Sequence, residues 1–357
     1  MQEHIIGAIT DQEVGSLINQ LYVDDAADFL EELPANMVKR VLKNASPETR
    51  ALINEFLQYP PESAGSIMTA EFVDLKKDMT VAQAFTRIRR IAIDKETVYT
   101  CYVIDANRHL EGVITVKRLF LATDETVLDD IMETNVIYAY TTDDQEEVAQ
   151  LFAKYDLLSL PIVDHEHRLV GIVTVDDVVE VIHQEATEDF QKMAAMAPTE
   201  EKYLDTDILT LAKHRLPWLI FLMLAAIFTE GIIRKFEGFL ETVVVLAAFI
   251  PMLMNTGGNS GSQSSTLIIR GLALGEIDLK DVGKVMWKEF RISIVVGIIL
   301  ATVNFIRIYL FSGVGLTIAF TVSITLLIVV VLSKVIGGTL PILAKRINLD
   351  PAVMAGP

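Results

Sequence analysis

Sulfur chemistry is almost missing from this chain: Cys101 is the only cysteine among 357 residues. A single cysteine excludes an internal disulfide and any Cys-rich metal site, and it fits a reducing cytoplasm. Basic charge is scarce in the first part. Residues 1–210 hold 40 Asp plus Glu against 17 Lys plus Arg, a net of −23, whereas residues 211–357 carry a net of +5. An acidic surface argues against nucleic acid, whose phosphates require Lys and Arg; it favours cations. There is no secretory signal, because residues 1–18 lack a basic segment followed by an apolar core. Enzyme-like constellations are lacking too. His4 and His183 have no partners at nucleophile or zinc spacing, and His165 and His167 fall in a turn.

What the second part has is apolar length. Stretches 217–233, 239–268, 290–311 and 316–340 approach the ~20 mostly apolar residues that a membrane helix needs. The first is short and contains Glu230, but Lys213 and Arg215 precede it, and Pro217 and Trp218 mark an interfacial start. Arg270, Lys280, Lys284, Lys288 and Arg291 lie between the second and third stretches, and Lys345 and Arg346 follow the fourth. The 312–315 turn has no charge. Cytoplasmic loops are enriched in Lys and Arg, so the N-terminal region and the 270–290 loop face the cytoplasm. Arg234 and Lys235 are the exception. A fifth span is expected to begin at Leu349-Asp350-Pro351 and to be cut off at Pro357, as in a truncated chain.

One stretch interrupts the apolar pattern without adding charge: residues 254–266 read MNTGGNSGSQSST. Gly257, Gly258 and Gly261 let helices approach closely, or let backbone carbonyls open onto a water-filled cavity. Asn255, Asn259, Ser262, Gln263 and Thr266 offer neutral side-chain oxygens. Two readings stay open: a passage for a hydrated cation, or a close-packed helix interface, where Gly, Ser and Thr are also enriched.

The acidic part contains an internal repeat. Ser66-Ile67-Met68-Thr69 corresponds to Asp130-Ile131-Met132-Glu133 at an offset of 64. Tyr102–Asp105 and Gly112–Val116 correspond to Pro161–Asp164 and Gly171–Val175 at an offset of 59. Each unit reads as an extended piece, an amphipathic helix, two β-branched strands around a turn, and a second helix. In the second unit the helix is 145–155 and the strands are 160–163 and 169–173. This pattern resembles a tandem pair of CBS modules, which commonly bind adenine nucleotides or ions and control a neighbouring domain. The nucleotide form carries a Thr and an Asp three residues later. Thr174 and Asp177 match it, while the first unit has Thr115 but Arg118. Equally, Thr174 reads as the cap of the helix that begins near Val175.

Ahead of the repeat, Val14, Leu17, Ile18 and Leu21, then Ala26, Phe29, Leu30 and Leu33, have helical spacing, punctuated by Pro34 and Ser46-Pro47. Behind it, residues 176–190 read as one helix. Asp177, Glu180 and Glu188 line one stripe and Glu185 and Asp189 a second. Like charges at i, i+4 destabilise a helix by a few tenths of a kcal/mol, roughly 0.2–0.5 per pair, and hard divalent cations seek such oxygens. A solvated acidic face is the alternative.

Taken in order, these parts resemble the MgtE family of magnesium transporters. The residues that carry the resemblance are YPPESAGSIMT at 59–69, EATED at 185–189, NTGGNSGSQSSTLIIRGLA at 255–273 with Asp278, and LDPAVMAGP at 349–357. The resemblance implies a multidomain fold: a partial all-α helical-hairpin domain (1–59), an α/β tandem CBS pair (60–126 and 127–182), an amphipathic connecting or plug helix region (183–213) and an all-α transmembrane domain of about five spans (214–357). It implies a homodimeric Mg²⁺ channel in the inner or plasma membrane, set in lipid and closed by intracellular Mg²⁺. The positions matching the family's regulatory acids are Asp144, Glu146, Asp156, Asp177, Glu180, Glu185, Glu188 and Asp189. Asn255, Gly258, Ser262 and Thr266 match family positions facing the pore, and with Gly257 and Asn259 of the same stretch they form the expected pore set. ATP or another adenine nucleotide at Thr174 and Asp177 is a further expected ligand, and a nucleotide-sensing transporter of another substrate is the alternative function.

Overall fold

Pro34, Ser46 and Pro47 act where helical punctuation places them. The computed structural model describes residues 6, 8–31, 33–199, 203–204 and 206–354, and four of its helices lie between residue 11 and the repeat. These are α1 (Asp11–Ile18), α2 (Val23–Glu31), α3 (Ala35–Asn44) and α4 (Pro47–Phe56). Pro34 precedes α3, and the Ser46 hydroxyl accepts from the Thr49 amide at 3.0 Å ahead of Pro47. Val14, Ile18, Ala26, Leu30, Leu33, Val41 and Ile53 are buried together, with Leu17, Leu21 and Phe29 packed against them. His4 and the final residues of the 349–357 stretch, 355–357, lie outside the described residues. The chain divides into two compact units, Met1–His183 and Gln184–Pro357.

The repeat folds as two copies of one motif. In the first, β1 (Val73–Leu75) runs parallel to β2 (Thr100–Ile104), which pairs antiparallel with β3 (Leu110–Thr115). In the second, β4 (Ala139–Tyr140) runs parallel to β5 (Ser159–Val163), which pairs antiparallel with β6 (Leu169–Thr174). Helix α5 (Val81–Ile91) precedes β2, and α7 (Gln145–Tyr155) precedes β5; α6 (Val116–Leu121) and α8 (Val175–Met193) follow β3 and β6. Even the register shifts repeat, at Val103/Ile104 and at Ile162/Val163.

The sequence copies are exchanged between the two modules. Thr69 of the first copy trades backbone hydrogen bonds with Ile172 of β6, at 2.7 and 2.9 Å. Glu133 of the second trades bonds with Val113 of β3, at 2.8 and 2.9 Å. Glycine makes both crossings possible: a Cβ on Gly171 would lie 2.7 Å from Met68 Sδ, and one on Gly112 2.8 Å from Met132 Sδ. The buried Tyr102 and Ser159 hydroxyls hydrogen-bond at 2.6 Å and join the two sheets.

The second unit is helical. Its main elements are α9 (Ile208–Lys235), α10 (Glu237–Thr242), α11 (Ile250–Ala273), α12 (Val282–Phe311) and α13 (Leu316–Arg346). Three stretches, Ile208–Lys235, Leu279–Phe311 and Leu316–Arg346, are long and apolar enough to cross a membrane by length and composition. The stretch expected as one span, 239–268, is broken instead. It forms α10, a 3₁₀ segment over Val244–Phe249, and then α11. Pro251 favours the break, because it lacks an amide proton and is best accommodated in the first turn of a helix, which is where it sits; Pro217 and Pro341, by contrast, lie inside α9 and α13.

Gly171→Ala should therefore lower the thermal unfolding midpoint of the purified chain, with a cost of about 1–3 kcal/mol for overpacking. Adding Met68→Ala should not restore it, because the Thr69 carbonyl lies 2.8 Å from the same Cβ position. Wild-type stability in Gly171→Ala would contradict the crossed arrangement.

Candidate functional site

Helix α11 has two unlike sides. Asn255, Gly258, Asn259, Ser262, Gln263 and Thr266 are exposed, while Gly257, Ser260, Ser264, Ser265, Ile268 and Ile269 are buried. Asn259, Ser262, Gln263, Thr266 and Leu267 line an open groove of about 550 Å³. The described part of its wall is uncharged amide, hydroxyl and one leucine. Such a face is costly against hydrocarbon, so it belongs against water or protein.

The two adjacent glycines divide between these sides. A Cβ on Gly257 would lie 2.7 Å from Val329 Cγ1 of α13, whereas nothing lies within 4 Å of the corresponding position on Gly258. Gly261 and Gly337 let the α11 and α13 backbones meet at still closer range. Gly257 thus serves close packing, and Gly258 borders open space.

The acidic candidates occupy helix ends and one long helix. Asp144 caps α7, its carboxylate accepting from the Glu146 amide at 2.8 Å, and Asp156 ends the same helix in a left-handed conformation at φ 53°. Asp177 and Glu180 lie in the first turns of α8; Glu185, Glu188 and Asp189 lie near its end. Thr174 and Asp177 satisfy each other: the Thr174 hydroxyl donates to Asp177 Oδ2 at 2.5 Å, and its amide approaches the same oxygen at 3.4 Å. Burial pushes the Asp177 carboxyl above its ordinary range, and Asp176 and Asp25 add to the effect. Among the described residues, no three His, Cys, Asp or Glu side chains come together closely enough to hold a metal ion.

At the end of α8, Lys192 Nζ lies 2.6 Å from Glu188 and 2.5 Å from Asp350. Burial alone would lower the ammonium, but these two carboxylates hold it above its usual range. Burial, and then Asp350, push Asp189 up. Met193 packs beside the buried Ile269 of α11 and Ala352. The end of the connecting helix is thereby fixed to α11 and to the segment that follows α13. Asp350 has a local task as well, accepting the Ala352 amide at 2.7 Å.

Comparison with known proteins decides the family. The model of the MgtE intracellular N domain matches residues 1–62, and the CBS domain matches 64–125 and 128–184. MgtE, described as a divalent cation transporter, matches 250–357. Magnesium transporter MgtE of Thermus thermophilus is 39% identical over 339 residues, covering 94% of this chain and 75% of the relative. That of Bacillus subtilis is 35% identical over 340 residues, covering 95% and 75%. The crystal structure of the soluble part of a magnesium transporter superposes with a TM-score of 0.51 at 37% identity, over 52% of this chain and 72% of that one.

The chain belongs to the MgtE family of divalent cation transporters. It is a multi-pass membrane protein with an intracellular N domain, and its class is transport rather than catalysis.

Some charged residues of this MgtE chain escaped the sequence reading. Asp25, Glu71, Asp176 and Asp177 come near Glu96 only after folding, and no spacing announces it. Glu289 and Lys334 lie inside α12 and α13, both nearly inaccessible. Lys334 carries a legible signal, because an ionisable residue within an apolar run marks function by default; Glu289, between Lys288 and Arg291, reads as part of a charged segment.

Glu96 generates a pH prediction. Burial first, and then Asp177, Asp176, Asp25 and Glu71, push its carboxyl from 4.5 up to about 7. Its buried Oε2 has no hydrogen-bond partner among the described residues. Between those two values the folded state holds a proton that the unfolded state has lost, so stability falls as pH rises through the window. In divalent-free buffer, Glu96→Gln should gain thermal stability relative to wild type between about pH 5.5 and about pH 7.5. Parallel curves for the two proteins would show that Glu96 is not coupled to the cluster.

Proposed function

We propose that the protein is a homodimeric, Mg²⁺-selective channel of the inner or plasma membrane, held closed by intracellular Mg²⁺. The observation that carries this reading is the uncharged oxygen-rich groove on α11. Mg²⁺ dehydrates reluctantly and usually keeps several waters. A passage with many neutral oxygens and little bulk suits that ion, hydrated or partly hydrated. Asn255, Gly258, Asn259, Ser262 and Thr266 are the proposed lumen residues. Gly257 is assigned to helix packing. Helix α9 has no buried residue in a single chain, which fits a surface covered by lipid or by the second copy.

Asp144, Glu146, Asp156, Asp177, Glu180, Glu185, Glu188 and Asp189 are the proposed sensing carboxylates. Support comes from the like charges beside two of them, Asp176 and Asp25 near Asp177 and Asp350 and Glu188 near Asp189, which add to burial in raising both carboxyls. A divalent ion relieves such repulsion, and monovalent salt only screens it. Each ion would be held by few carboxylates and largely by its own water. An adenine nucleotide at Thr174 and Asp177 is a second proposed ligand, because the pair matches the Thr and Asp of nucleotide-binding CBS modules.

Flux into proteoliposomes tests the passage. Gly258→Leu should cut Mg²⁺ flux by about tenfold or more, because an apolar side chain dewets a narrow path, while the yield of folded dimer stays normal. Gly257→Leu should instead reduce that yield through its collision with Val329. Loss of folding at Gly258 with normal flux at Gly257 would reverse the assignment.

Patch recordings test the gate. Glu185→Ala, Glu188→Ala and Asp189→Ala together should leave channels open at high internal Mg²⁺, with ion preference unchanged. Normal Mg²⁺ inhibition in the triple variant would reduce the connecting helix to a spacer.

A further inference from the structure

On the side of α11 turned from the groove, three helices each bring one polar side chain to a single point. Ser264 of α11, Glu289 of α12 and Lys334 of α13 are 1%, 6% and 6% exposed. The Ser264 hydroxyl donates to Glu289 Oε2 at 2.6 Å, and Lys334 Nζ donates to Ser264 Oγ at 3.4 Å. A hydroxyl has one proton to give and lone pairs to receive; the carboxylate takes the first and the ammonium uses the second. Gly338, one turn beyond Lys334, leaves the space, since a Cβ there would lie 2.8 Å from Glu289 Cγ. Glu289 lies seven residues after Val282, Lys334 twelve before Arg346 and Ser264 nine before Ala273. At ~1.5 Å per residue these places are roughly 10–18 Å from the helix ends; Ser264 and Lys334 lie within apolar stretches, and Glu289 stands at the border of one, between Lys288 and Arg291.

Buried opposite charges are expensive to desolvate, and removing one partner strands the other. Apolar contacts between membrane helices discriminate poorly among rotations, because lipid is as apolar as leucine. A polar contact does discriminate. At about 100° per residue, Asn255, Asn259, Ser262 and Thr266 lie about 180°, 140°, 160° and 160° around α11 from Ser264. The bond that anchors one side therefore aims the other.

We propose that Glu289 and Lys334 are positioning residues that lock the rotation of α11 through Ser264 and so direct its polar stripe into the groove. What the groove carries rests on the proposed channel function; the rotational lock does not.

Thiol labelling of the full chain reads rotation without transport. Cys101 is buried, and burial pushes its thiol up to about 12, so it gives little background. Ser262→Cys, on the groove, should react with a water-soluble maleimide about tenfold or more faster than Ser265→Cys, on the packed side. Adding Glu289→Gln or Lys334→Met should collapse that ratio toward one. The double variant Glu289→Gln/Lys334→Gln, which rebuilds an uncharged acceptor and donor around Ser264, should restore it. A ratio unchanged in the single variants overturns the proposal. Where a single variant does not fold, the double variant decides: a preserved ratio supports the lock and a lost ratio overturns it. Failure of Mg²⁺ flux in the unmodified protein would sink the channel reading and leave the labelling result standing.

Discussion

A polar side chain inside hydrocarbon must be matched by protein or water, and the second unit is arranged around that constraint. Helix α11 is lined with amides and hydroxyls on one side and with glycine and serine on the other. The glycine side is pressed against α13, where Gly261 and Gly337 admit backbone contact. The amide side is left open. No charge was needed to create the difference; small residues on one face and hydrogen-bonding residues on the other are sufficient. Lipid cannot satisfy the open face, so the fold itself demands water or a second surface there.

Charge is handled in two ways. In the first, carboxylates of separate elements lie near one another, and burial, with these neighbours adding to it, raises the proton affinity of Glu96 and Asp177. In the second, charges are paired internally. Lys192 is held between Glu188 and Asp350, and Lys334 reaches Glu289 through Ser264. On the proposed function, the crowded set is the one that a cation from solution would relieve. The paired sets already contain theirs, and they hold elements in place.

Much of the first unit was legible because it is repeated. The offset of 59 reproduces strands, turns and even the register shifts, and the offset of 64 reproduces the preceding helix. A repeat does not reveal, however, that Thr69 pairs with Ile172 and Glu133 with Val113; that exchange is a property of two modules folded together. The polar stretch of α11 was visible as an anomaly, but composition could not separate Gly257 from Gly258. Only the position of Val329 does so. The break at Pro251 was readable from proline chemistry, yet the apolar run on both sides concealed it. Asp25 and Glu96 left no trace in the sequence, because their meaning lies in proximity to Asp177.

The absence of a three-carboxylate cage among the described residues bears on what kind of sensor this part could be. A tight site needs several charged oxygens converging on one dehydrated ion, and Mg²⁺ gives up its water reluctantly. Carboxylates spread along α7 and α8, as in the proposed sensor, would bind weakly through that water. A weak site alone shifts a two-state equilibrium little, because the shift is bounded by its differential affinity. Many such sites that share one outcome multiply their small preferences. Response then rises steeply over a narrow range of free ion without any single site being tight. Dispersed acids are therefore the form that a sensor of an abundant, strongly hydrated ion would take, and a compact cage would remain filled throughout that range.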